Sequence, residues 1–187
     1  HHIDNPTWRE DCASDLAERG VLSCRRGEVR TGVEMFREAI RVLSHHSDPE
    51  LKNRPLKNKS GVKLSESPTA RHAYNCLGLA LQGRSEWENA GESFQTAFDL
   101  CNVPEQRHMG DDQFVDRSGV LLDLSANLLI RGVLDQSDKL LRRCHFAATR
   151  AYRPNSVVVG AIQAQMAELA WVRGDAERAV NLSMEAY

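Results

Sequence analysis

His45, His46 and Asp48 are residues of types that could hold a metal ion. A structural zinc site needs about four ligands in tetrahedral geometry. These three stand in a polar stretch with no cysteine nearby, so they read as part of a solvated loop. Cys144-His145 sets a nucleophile beside a base, but successive residues of a helix point in different directions and do not face each other. Cys144 falls instead on a packing position. Asp111, Asp112 and Asp116 read as a solvated linker and not as a metal site. The sequence contains no G-x-S-x-G, Walker loop, H-E-x-x-H or glycine-rich phosphate turn. The expectation is a non-catalytic protein without metal or cofactor.

The other chemically distinctive stretch is basic. Residues 44–67 carry Lys52, Arg54, Lys57, Lys59 and Lys63, two prolines and only scattered large apolar residues, Leu51, Leu56, Val62 and Leu64. Such a segment cannot bury enough surface to offset the entropy of ordering, and reads as a mobile loop. Its cations could contact phosphates, which makes RNA binding through residues 52–63 a weaker alternative. No aromatics are interleaved to stack on bases, so nucleic acid is not the expected partner. The net charge of −2 adds no global basic field.

The 187 residues suffice for one domain with a real core. At 41% hydrophobic and 27% charged, the composition is that of a water-soluble chain. No apolar run approaches the roughly 20 residues of a membrane span, so membrane insertion is not expected. No signal peptide is visible, and the two asparagine sequons, at Asn58 and Asn181, are read as chance. The five cysteines are odd in number and widely spaced, with no C-x-x-C pair. Free thiols in a reducing, intracellular compartment are expected: cytoplasm, nucleus or organelle stroma. The start at His1-His2 and the end at Tyr187 read as a piece cut from a longer chain.

Helical periodicity accounts for the rest. Arg71 to Leu100 reads as two amphipathic helices around a tight turn, with Tyr74, Leu77, Leu81, Trp87, Phe94 and Phe98 apolar and Gly78, Ala90 and Ala97 small. Asn5-Pro6 starts an earlier pair, to about Arg26 and then Val29 to Leu43, broken at Gly27. Ser67-Pro68 reads as N-cap and first helical residue. Cys101 to about Gln113 is a second linker. Helices near Phe114–Ile130 and Leu134–Tyr152 flank Gly132. Ser156 caps a last pair, Val157–Arg173 and Ala176–Tyr187, around Gly174-Asp175. No stretch alternates with period two, so no strands are expected.

The hairpins share a register. Setting Gly27, Ser85, Gly132 and Gly174 level places Gly20, Gly78, Ser125 and Ala167 seven residues before the turn. Gly32, Ala90, Ser137 and Ala179 come five after it, and Ala39, Ala97, Cys144 and Ala186 twelve after it. Nine after it stand Phe36, Phe94 and Leu141, but Ser183 in the last hairpin. Small residues let helices approach, and the large one fills the space between them.

This pattern resembles the tetratricopeptide repeat family. Arg71–Leu100 matches best; the first hairpin departs at Arg19, the last at Gln163 and Ser183. The marker residues stand 58, 47 and 42 apart, where the family repeats at about 34, and the linkers take up the excess. The resemblance implies an all-α, right-handed solenoid of about four antiparallel helix-turn-helix repeats with a long loop after the first. Their bounds are about 6–43, 68–101, 114–152 and 156–187, within a single domain over 1–187. It also implies a protein-interaction scaffold or adaptor whose first helices line a concave groove.

By register that groove holds Val21 and Arg25; His72, Asn75, Leu79 and Gln82; Leu122, Asp123 and Leu129; and Gln165, Glu168 and Trp171. Some family members clamp a chaperone's C-terminal carboxylate with cations at fixed groove positions. Those positions here are Ala17, Val21, Cys76, Gly119 and Asp123, none cationic, so a chaperone tail is not expected. The apolar centre suits a partner peptide or amphipathic helix. The alternative is structural: Leu122, Leu129 and Trp171 pack on further helices, in self-association or as an arm of a larger assembly.

Overall fold

A computed structural model describes residues 6–44, 67–101, 111–152 and 156–186, with side chains from 118 onward in the third segment. His45, His46, Asp48 and the basic stretch 52–63 lie outside the described residues, as do the side chains of Asp111, Asp112 and Asp116.

The described residues form eight helices and no strand. They are α1 (Pro6–Arg25), α2 (Val29–Ser44), α3 (Pro68–Gln82), α4 (Trp87–Cys101), α5 (Asp111–Ile130), α6 (Leu134–Ala151), α7 (Val157–Val172) and α8 (Ala176–Glu185). They pair as four hairpins, in two compact units that divide between Val103 and Pro104. In the first unit α2 and α1 both touch α3; in the second α6 and α5 both touch α7. None is long and apolar enough to cross a membrane.

Several helix ends differ from the sequence reading by one or two residues, and the start of α5 by three. α4 ends on Cys101, which is buried. α5 starts at Asp111, three residues ahead of the expected Phe114, so Asp111 and Asp112 belong to its first turn and not to a linker. Carboxylates are favoured there because the exposed N–H groups carry partial positive charge.

The four turns are one motif repeated. Gly27, Gly132 and Gly174 have φ of 85°, 73° and 80°, and Ser85 has 60°. In each, the residue after the turn residue donates back to the carbonyl five positions earlier: Glu28 to Ser23, Glu86 to Leu81, Val133 to Leu128, Asp175 to Ala170. The turn residue's own N–H reaches the carbonyl three positions earlier. These paired bonds satisfy the orphan carbonyls of the first helix. The same post-turn residue then opens the second helix, accepting from Gly32, Ala90, Ser137 or Ala179. One left-handed residue thus ends one helix and aims the next.

Packing inside the hairpins follows the register. A Cβ on Gly20 would stand 2.7 Å from the Phe36 ring, and one on Gly78 2.5 Å from the Phe94 ring. Both rings are fully buried. In the third hairpin Ser125 and Leu141 hold the matching register positions, both buried, and Ser137 Oγ donates to the Ser125 carbonyl at 3.0 Å. Gly32 occupies the place of Ser137, and a Cβ there would stand 3.0 Å from the Gly20 carbonyl.

Candidate functional site

α3 and α7 each start from a fixed anchor. Ser67 caps α3, accepting from Ala70 N–H at 3.0 Å, while its hydroxyl donates to Glu10 of α1 at 2.9 Å. Glu10 also accepts from Thr69 N–H at 3.3 Å. A carboxylate from one helix therefore seats the N-terminus of the next, a tie between α1 and α3 that local sequence signals do not reveal. Ser156 caps α7 in the same way, accepting from Val159 N–H.

In the first unit, Arg25, His72 and Leu79 are exposed, and Val21, Asn75 and Gln82 half-buried. His72, Asn75 and Leu79 lie at helical spacing on one side of α3. Arg19, the departure in the first hairpin, faces solvent and pairs with Asp15.

In the second unit the expected groove residues separate. Leu122 is partly buried against a core cluster of Leu129, Leu141, Cys144, Ala148, Val159, Ile162, Met166 and Leu169. Leu129 is a member of that core, 8% exposed, and is not a surface anchor. α7 covers that part of α5, through Val159, Ile162, Met166 and Leu169. Gln165 is half-buried, and its Oε1 accepts from Ser125 Oγ at 2.6 Å, tying α7 to α5. Asp123 is half-buried; Glu168 and Trp171 are exposed, Trp171 at 67%.

Glu168 and Trp171 belong to a cleft of about 600 Å³ on the last hairpin. Its floor is small residues, chiefly Ala167 and Ala179, with Ser183 beside them. Its walls are Trp171, Val180 and Met184, all exposed. Ser183 stands where Phe36, Phe94 and Leu141 fill the other hairpins. The cleft is therefore the place a large residue would take, left open. The sequence reading kept to first helices and so missed Val180 and Met184; the Ser183 departure was the available signal. Gln163, the other departure, is buried and donates to Glu185 across the hairpin at 3.2 Å.

The thiols divide by burial. Cys144 is enclosed in the second core, and desolvation pushes its pKa up to about 11, the opposite of an activated nucleophile. Burial also raises the Cys24 thiol and the Tyr74 phenol. Among the described residues, a His–Cys contact stands elsewhere, between His72 and Cys76, with Sγ 3.5 Å from Nε2. The spacing H-x-x-x-C was its signal, since residues four apart on a helix meet.

No protein-family model matches the sequence, and no curated protein matches it significantly. Solved structures do. One is a Podosopora anserina protein described as a kinesin light chain with nearly identical TPR-like repeats. It is 15% identical with TM-score 0.65, over 93% of this chain and 72% of that one. A variant of it gives 14% and 0.67 over the same shares. BtubC (BKLC) from P. vanneervenii is 14% identical with TM-score 0.70, over 93% of this chain and 61% of that one. The chain has the all-α helical-repeat fold of the TPR-like proteins.

Proposed function

We propose that this chain is a non-catalytic protein-interaction module whose repeats hold an α-helical or extended apolar segment of a partner protein. The observation that carries the reading is the open cleft on α7–α8, where Trp171, Val180 and Met184 stand exposed around a floor of alanines. Large apolar surface left in water is costly, and contiguous patches of it mark interaction sites. The preceding hairpin offers a worked case: its surface in the same register is covered by α7 through Val159, Ile162 and Met166. A partner helix with apolar residues three or four apart reproduces that contact. Each Leu-sized anchor buried contributes about 1.5–3 kcal/mol, against roughly 2–5 kcal/mol to order a flexible partner. Two to four anchors therefore suffice. On the first unit, Leu79 with His72, Asn75, Gln82, Val21 and Arg25 supplies a second contact face; on the second, Leu122 and Asp123 border the core. Leu129 is excluded by its burial.

The test compares partner capture by the unmodified chain with Met184→Glu, Leu79→Glu and, as an off-face control, Phe146→Glu. Loss at Met184 or Leu79 with capture kept at Phe146, and helicity unchanged in all, supports the module. Equal capture by all four sinks it. Light scattering on the same samples separates the structural alternative: concentration-dependent oligomers abolished by Met184→Glu would mean the cleft serves self-association.

A further inference from the structure

His72 and Cys76 stand one helical turn apart on α3. Cys76 Sγ lies 3.5 Å from His72 Nε2 and 3.9 Å from Nδ1, at the surface. This is hydrogen-bond range for sulfur, and the spacing fixes both side chains on one face. The other thiols differ. Cys101 and Cys144 are buried, and desolvation raises the pKa of Cys144 and Cys24. Cys12 is half-buried, as Cys76 is. The thiolate is the reacting form of cysteine, and it arises where a base or cation adjoins the sulfur and a reagent can reach it. At Cys76 an imidazole adjoins the sulfur and the thiol is only half-buried.

We propose that Cys76 is the reactive thiol of this chain, a modification site for soft electrophiles and for peroxides, with His72 as the base that takes its proton. With a haloacetamide, the Sγ proton passes to the imidazole and the sulfur attacks the halogen-bearing carbon. The S–C bond forms, the C–halogen bond breaks, halide leaves with the bonding pair, and the imidazolium returns its proton to water. With hydrogen peroxide, the sulfur attacks one oxygen, the S–O bond forms and the O–O bond breaks. The departing hydroxide takes the proton from His72 and leaves as water; Cys76 is oxidised to the sulfenic acid and the peroxide is reduced. The adduct stands on the face of α3 that also carries Leu79. The assignment rests on the pair itself and is independent of what that face binds.

The experiment treats the native chain with limiting iodoacetamide at neutral pH and follows each cysteine by peptide mass spectrometry. A neighbouring imidazole that takes the thiol proton speeds attack on the reagent. Cys76 is therefore expected to label faster than Cys12, with Cys101 and Cys144 labelled only on unfolding. His72→Gln should bring Cys76 to the rate of Cys12 and leave Cys12 unchanged. After peroxide treatment, a sulfenic-acid trap should mark Cys76 first in the native chain and not in His72→Gln. Equal rates at Cys76 and Cys12 in the native chain overturn the proposal, as does an unchanged Cys76 rate in His72→Gln. A parallel change at both thiols, which reports a general change in α1 and α3, overturns it too.

Discussion

Replacing Gly78 by alanine tests the idea that each hairpin is closed by a small residue facing a large one. The new Cβ would stand 2.5, 2.6 and 2.9 Å from three atoms of the Phe94 ring. Carbon atoms prefer about 3.5–4.0 Å, so the ring must recede by roughly 1 Å. It is fully buried, so neighbouring side chains must move with it. Overpacking of this kind costs about 1–3 kcal/mol, and the rigid ring argues for the upper end. Alanine returns about 1 kcal/mol of helix propensity. The net expectation for Gly78→Ala is a loss of about 2 kcal/mol. Phe94→Leu alone should cost about 1 kcal/mol, by leaving the ring's outer volume unfilled. The double variant approaches the Ser125–Leu141 pair of the third hairpin, which is packed and buried. It should therefore lose about 1 kcal/mol or less, a coupling of about 2 kcal/mol between the two sites. Native-state hydrogen exchange on α3 and α4 is the assay, because repeat proteins open locally and the effect should stay in that hairpin. A neutral Gly78→Ala, or two costs that add within about 0.5 kcal/mol, would refute the small–large pairing.

Ser85→Gly should raise stability by about 1 kcal/mol, since Ser85 is the non-glycine among the four left-handed turn residues; a lower midpoint in urea would contradict the turn assignment. Ser183→Leu should fill the open cleft on α7–α8 and add about 1 kcal/mol, seen as a rise in melting temperature. The same change should weaken partner capture; unaltered capture would remove the cleft from the binding surface. Cys144 gives a pH effect of defined sign. Its folded pKa is raised from 9.0 to about 11, so the folded state favours the protonated thiol. The stability from this burial is complete below about pH 9 and is lost as pH rises towards 11. The amount is on the order of 2–3 kcal/mol, and Cys144→Ala should flatten that part of the alkaline unfolding curve.

The hairpins were legible in the sequence because their determinants are local and steric. A left-handed turn residue, a small residue before it and a large one after it each leave a mark at fixed spacing, and all four turns fall at the aligned positions. Ser67 and Ser156 were legible as caps for the same reason, since a cap bonds to an N–H only three residues on. What was not legible depends on a neighbour supplied from elsewhere in the chain. Glu10 reaches Ser67 across 57 residues, and nothing local to either residue announces the contact. Leu129 lies on α5, yet its accessibility is decided by α7. Periodicity reports which side of a helix is apolar, but not which apolar side remains open.

The last point separates two residues that the register makes equivalent. Leu129 and Trp171 each stand three residues before their turn, and each has a small residue four positions earlier, Ser125 and Ala167. One is 8% exposed and the other 67%. The difference cannot lie in the hairpins, whose turns and helix ends are the same; it lies in α7, which covers the third hairpin and has no counterpart among the described residues over the fourth. The fourth hairpin is also the one whose large inner residue is replaced by serine, so exposure outside and vacancy inside coincide. Water gains nothing from a tryptophan and a methionine ringed around alanines. On the proposed reading, a partner helix that covers the fourth hairpin as α7 covers the third would take Trp171, Val180 and Met184 out of water, which makes the cleft the first place to test for a partner.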